Sequence, residues 1–159
     1  MSKQESFLAR RLVVISFGVF AGIAGMPLGA DPSSDKPVAL AASDTQLQWG
    51  PCPPLFPKGC EIAVLHGNPS EPNADVFLKV PANYTIPPHW HTSAERMVLV
   101  SGELHVQYDG HSPSVLRPGT YAYGPAKAPH RASCTTSGAC VLFIAFESAV
   151  DAHPTNGLQ

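Results

Sequence analysis

The chain has 159 residues, a formal net charge of −2 and 14% charged residues. That length fits one domain with some extra, and the charge leaves no basic stripe for holding nucleic acid. The extra lies at the start. Lys3, Arg10 and Arg11 precede an uncharged stretch, LVVISFGVFAGIAGMPLGA, from Leu12 to Ala30. A basic n-region, an apolar h-region and a small-residue exit make residues 1–30 read as a secretory signal peptide. Gly18, Gly22 and Gly25 interrupt the apolar run and Pro27 ends it. A spanning helix needs about 20 predominantly apolar residues, so the expectation is cleavage rather than a permanent membrane anchor. Ala30 is the first choice of cleavage site, and Ala39-Leu40-Ala41 the second. Arg10-Arg11 ahead of Leu12, Val13 and Val14 fits a twin-arginine export signal and an ordinary basic n-region equally well. Removal of residues 1–30 takes away three positive charges and one negative, which makes the mature chain more acidic. No second apolar segment remains for a membrane.

Residues 31–46 are rich in Ser, Asp, Pro and Ala without periodicity and read as a flexible leader to a domain over 47–150. Residues 151–159 read as a C-terminal tail. All four cysteines lie in the mature part, at Cys52, Cys60, Cys134 and Cys140. An even count in an exported chain favours disulfides. Three connectivities are open, and the local pairing 52–60 and 134–140 is the expected one. No Cys-x-x-Cys pair supports a four-cysteine zinc site.

The domain has no helical repeat of useful length. Short strand-like runs recur instead: EIAVLHG at 61–67, DVFLKV at 75–80, RMVLV at 96–100, ELHVQY at 103–108 and CVLFIAF at 140–146. Turn signals at Asp109-Gly110, Pro118-Gly119, Gly124-Pro125 and Ser137-Gly138 separate the later ones, and TTSGA between Cys134 and Cys140 reads as a hairpin turn. In ELHVQY, Leu104, Val106 and Tyr108 share one face while His105 and Gln107 share the other, which describes a sheet with one buried side. Many short strands with regular punctuation and no glycine-rich phosphate loop indicate an all-β sandwich or barrel.

The stretch PHWHTSAERMVLVSG, residues 88–102, carries the chemistry. On an extended chain His89 and His91 project from the same face. With Glu95 four residues later they can surround a cation of intermediate softness, and His130, at the opening of another strand-like run, can complete the set. A lone His-x-His is more often a polar loop than a metal site; here Glu95, Gly102 and His130 also need explaining. His66, His105, His111 and His153 lack such partners and read as surface or structural residues.

These spacings resemble the cupin superfamily. Its first motif reads His-x-His, three or four residues, Glu, six residues, Gly, and His89, His91, Glu95 and Gly102 match it without a gap. Its second motif reads Gly, five residues, Pro, with a His five residues later, and Gly119, Pro125 and His130 match. Asn83 and Lys127 stand where the family has glycines and Cys134 where it has asparagine, so the turn near Lys127 is expected to differ. The resemblance implies a jelly-roll β-barrel over roughly residues 60–148, with His89, His91, Glu95 and His130 as ligands of one divalent transition metal. Iron or manganese is favoured, with copper, nickel and zinc compatible. It also makes a homodimer through strand exchange or sheet packing an option.

Fold does not fix function. The leading expectation is an exported mononuclear dioxygenase acting on a small-molecule substrate. Glu95 would serve as a base, and Tyr121 or Tyr123, on a strand expected to border the cavity, would donate a hydrogen bond or proton. Phe77, Met97, Phe143 and Phe146 are expected to make the pocket apolar. The alternatives are a lyase or hydrolase using the metal as Lewis acid, and a metal- or ligand-binding module without turnover.

Overall fold

The computed structural model describes residues 36–135 and 138–155. The expected signal peptide, its arginine pair and most of the leader lie outside the described residues. Eleven strands account for the regular structure: β1 (Trp49–Pro51), β2 (Glu61–His66), β3 (Asp75–Val80), β4 (Thr85–Trp90), β5 (Glu95–Ser101), β6 (Glu103–Tyr108), β7 (Ser114–Leu116), β8 (Tyr121–Gly124), β9 (His130–Thr135), β10 (Cys140–Phe146) and β11 (His153–Pro154). The described residues include no helix. DVFLKV, ELHVQY and CVLFIAF coincide with β3, β6 and β10.

The strands form two antiparallel sheets, ordered β1-β2-β3-β10-β5-β8 and β11-β4-β9-β6-β7. This is the jelly-roll architecture that the motif resemblance implies. Between the sheets, Val76, Val80, Met97, Leu99, Leu142 and Ile144 from the first meet Ile86, Leu104, Val106 and Ala132 from the second. Full burial of each large aliphatic side chain contributes roughly 1.5–3 kcal/mol.

Two connections pass between sheets at the same end of the sandwich. Gly102 alone separates β5 in one sheet from β6 in the other. Its φ is +85°, and a Cβ there would lie 2.8 Å from Cys140 Sγ and 2.9 Å from Ala139 O. Only glycine turns this corner. Beside it, β9 in the second sheet gives way to β10 in the first, and the Cys134–Cys140 disulfide staples that crossing. TTSGA is therefore not a hairpin turn: β9 pairs with β4 and β6, and β10 with β3 and β5. Turn composition marks a reversal of the chain but not which neighbour the next strand joins. The second disulfide, Cys52–Cys60, closes the loop of the β1–β2 hairpin, so both local pairs form.

The described chain belongs to one compact unit from Val38 onward, where Leu40 and Ala42 join Leu47, Ala63 and Phe77 in a small cluster on the outer face of the first sheet. A turn closed by Asp44, whose carboxylate accepts from Ala41 N, holds this segment. The tail also folds back: His153 and Pro154 pair with Trp90 and His89 of β4 as β11.

Candidate metal centre

TIPPHW forms β4 although Pro87 and Pro88 cannot donate ladder hydrogen bonds. The pairing with β9 slips between Ile86 and His89, so the prolines sit where the ladder is broken and His89 comes opposite His130. Glu95 opens β5, paired with Phe146 on one side and Gly124 on the other. The structure thus brings His89, His91, Glu95 and His130 together, each 7% exposed or less. The histidine ring centroids lie 4.2–5.3 Å apart, and one ligand atom from each histidine falls within 4.8 Å of the others.

The hydrogen bonds fix which nitrogens face inward. His89 Nδ1 donates to Pro87 O at 2.8 Å, His130 Nδ1 to Ala128 O at 3.0 Å and His91 Nδ1 to Asp151 O. A carbonyl can only accept, so each Nδ1 carries the proton and each Nε2 keeps its lone pair. His91 Nε2 is buried without a hydrogen-bond partner among the described residues. It lies 3.3 Å from Glu95 Oε1, and His130 Nε2 lies 3.6 Å from Glu95 Oε2.

Burial, with repulsion from the neighbouring rings, lowers His89 to about 3, and burial lowers His130 to about 4. His91 is lowered by burial as well. All three imidazoles are therefore neutral at pH 7, while burial pushes the Glu95 carboxyl up to about 8. Three neighbouring imidazole lone pairs and a buried carboxyl group fit a divalent cation, which would compensate the carboxylate. A proton on Glu95 is the alternative way to neutralise it.

The shell around these residues explains their aim. Ser93, 3% exposed, accepts from Glu147 N and Ser148 N and donates to Ala94 O, locking the loop between His91 and Glu95. Asp151 Oδ1 accepts from Thr92 N at 2.9 Å, and its Oδ2 meets His153 Nε2 at 3.0 Å. His153 stacks on Trp90 at 4.2 Å. Lys127 keeps a left-handed φ of 60° and donates its backbone N–H to His91 O at 2.8 Å. The turn that was expected to differ at this position is therefore retained.

A cavity of about 70 Å³ adjoins the ligand set, walled by residues such as Ile62, Val76, Met97, Leu142 and Phe146. Phe56, from the disulfide-closed loop, meets His89 edge-on at 5.2 Å. Two expected pocket residues lie elsewhere: Phe77 and Phe143 pack on the outer face of the first sheet, because alternation along β3 and β10 turns them outward.

Tyr121 and Tyr123 are not brought to the histidines. They are 60% and 52% exposed and line a groove that none of the three histidines borders, while Ala122 and Gly124 of the same strand are less exposed. The tyrosine that does approach is Tyr108, whose ring lies 4.7 Å from His130. Burial and the nearby Glu95 hold its phenol protonated well above the usual range. Sequence alternation places Tyr108 inward but gives no sign of this contact. Asp151 and Ser93 carried no signal, since each acts through the backbone around a ligand.

The ChrR cupin-like domain matches residues 38–149 of the chain. No curated protein sequence matches it significantly. Among solved structures, DMSP lyase DddQ from Ruegeria pomeroyi DSS-3 is similar with a TM-score of 0.59 at 22% identity, over 70% of this chain and 64% of that one. The polyketide cyclase RemF from Streptomyces resistomycificus gives 0.62 at 15% identity, over 77% and 89%. A cupin-2 domain from Rhodospirillum rubrum gives 0.62 at 12% identity, over 77% and 84%. The chain spans less than two thirds of the DddQ chain that it matches. At these identities the likeness is one of fold.

Proposed function

The chain belongs to the ChrR cupin-like domain family of the cupin superfamily, and from that premise we propose that it is an exported mononuclear metal enzyme, a dioxygenase of a small organic molecule. The supporting observation is the convergence of one ligand atom from each of three buried histidines beside buried Glu95, at an apolar cavity. His89, His91, Glu95 and His130 would hold the ion, iron or manganese by preference, with copper, nickel or zinc fitting the same donors. When bound, the metal would supply Lewis acidity toward a substrate oxygen and, if redox-active, a path for electrons to dioxygen.

The chain's own residues bind and exclude. The aliphatic walls hold an apolar body and keep bulk water from the ligand set, and the three carbonyl acceptors hold the imidazoles in one orientation. Glu95, one of the residues that would hold the ion, would also serve as a proton acceptor. Dioxygenation places both atoms of dioxygen in the substrate, which supplies all the electrons, so no separate reductant is required. The Cys52–Cys60 and Cys134–Cys140 disulfides support an oxidising destination.

Elemental analysis of the native protein, followed by aerobic and anaerobic turnover of small enols and diols, tests the reading. Iron or manganese and oxygen-dependent turnover are the expected results. A second reading, a lyase using the metal as Lewis acid, is favoured by the fold likeness to DMSP lyase DddQ. Turnover that ignores oxygen would replace the first reading with the second, and metal uptake without any turnover would favour a binding module.

A further inference from the structure

The loop closed by Cys52 and Cys60 belongs to the β1–β2 hairpin of the first sheet, yet it reaches across to the second. The Tyr84 hydroxyl, just ahead of β4, donates to Pro57 O, and the Phe56 ring meets His89 of β4 edge-on. The disulfide fixes the loop at its base and the hydrogen bond fixes it near its tip. Phe56 is thereby held against a member of the ligand set.

The wall of the cavity shows where a ligand enters. Pro53 is exposed and Phe56, Val150, Asp151 and Ala152 are half-buried, whereas Val76, Leu104 and Leu142 are buried. The open side therefore lies between the 52–60 loop and residues 150–152. The second lip is anchored as well: Val150 N donates to Pro69 O, and the Asp151 carboxylate accepts from Thr92 N. Between these two lips Phe56 is the largest side chain.

Size and polarity restrict the occupant. The cavity of about 70 Å³ is far below the roughly 300–1,000 Å³ of pockets for drug-sized ligands. At about 10–15 Å³ for each water-sized group, it takes roughly five to seven such groups. Its polar side chains are the three histidines, Glu95 and Asp151, and the rest of the wall is apolar. A ligand polar at one end and apolar over the remainder matches that division. A polyol would leave hydroxyls unpaired against aliphatic walls. Resting on the metal-site reading, we propose that Phe56 is the size-determining residue of this site. The substrate class is then a short organic molecule of about five to seven heavy atoms, with one oxygen-bearing end for the ion and an apolar remainder.

The test uses the full protein loaded with Co(II), whose visible spectrum reports ligand entry. It is titrated with acetate, butyrate and octanoate, which fall below, within and beyond the size limit. Wild type is expected to bind butyrate about tenfold more tightly than octanoate. Phe56→Ala is expected to tighten octanoate about tenfold, with acetate affinity and cobalt stoichiometry within about twofold of wild type. Phe56→Trp is expected to weaken butyrate about tenfold and to spare acetate. Octanoate bound as tightly as butyrate by wild type overturns the size limit. Octanoate unmoved in Phe56→Ala, with butyrate unmoved in Phe56→Trp, overturns the role of Phe56. A parallel shift of all three probes, or loss of cobalt from both variants, also overturns it by assigning Phe56 to the support of His89. Wild-type protein that takes up no cobalt overturns the underlying metal site, an outcome distinct from a cobalt-loaded protein indifferent to chain length.

Discussion

Three residues outside the ligand set show how single positions hold this site. Asn83, Gly102 and Lys127 have φ values of 59°, 85° and 60°. The resemblance puts glycine at all three, yet the chain keeps the left-handed turns with Asn83 and Lys127. Asparagine visits that region routinely, whereas lysine loses roughly 1–2 kcal/mol there. The Lys127 turn persists because its N–H is bonded to His91 O and proline and alanine neighbours fix the loop. Opposite substitutions should therefore have opposite signs in denaturant titration. Lys127→Gly should stabilise by about 0.5–1 kcal/mol, the strain relief less the entropy of a freer unfolded chain. Gly102→Ala should destabilise by about 2–4 kcal/mol, since its Cβ has no room beside Cys140. The shared face of His89 and His91 was legible in their two-residue offset, and the meeting of these with Glu95 and His130 was expected from the motif resemblance. Tyr108 was half legible, as its face follows from alternation but its neighbour does not.

Among elements, the two disulfide-closed segments do different work. The 52–60 loop lies against the cavity through Cys52, Pro53 and Phe56, and the Tyr84 hydroxyl donates to Pro57 O at 2.5 Å to hold it there. The Cys134–Cys140 link closes a crossing between sheets. Loops of this size make each bond worth about 2.5 kcal/mol in the chain-entropy account. Replacing either pair with alanine should thus lower stability similarly, but only loss of Cys52–Cys60 should speed stripping of bound metal by a chelator. Stopped-flow removal at matched temperatures separates the two. The strands themselves were legible where composition is apolar and uninterrupted, as in β3, β6 and β10. β4 was obscured by Pro87-Pro88, and the β9–β10 crossing by a turn sequence that says nothing of sheet membership.

Across the described residues, the strands carry the candidate site at one end and closure at the other. Glu95, Tyr108, His130 and Phe146 are strand termini on the site side, and Ser101, Glu103, Thr135 and Cys140 are the opposite termini of the same strands. The far end is fixed by Gly102 and a disulfide, so the site end can be assembled from residues distant in sequence. Asp151 is the clearest case: 60 residues beyond His91, its carbonyl sets that ring. Asp151→Ala would free the segment from Thr92 and His153. Metal affinity in competition titrations should fall about tenfold, the usual effect of loosening a ligand's hydrogen-bonded support, with little change in melting. No pattern in the sequence announced this residue, because a backbone carbonyl leaves no trace in side-chain spacing.

The same link gives the chain an order of events during its own synthesis. The imidazoles and Glu95 leave the ribosome first, and the carbonyl that aims His91 leaves after them. A growing chain can offer a passing ion only loosely directed rings. The arrangement of the rings is completed only when translation has passed residue 151 and the last strand has docked.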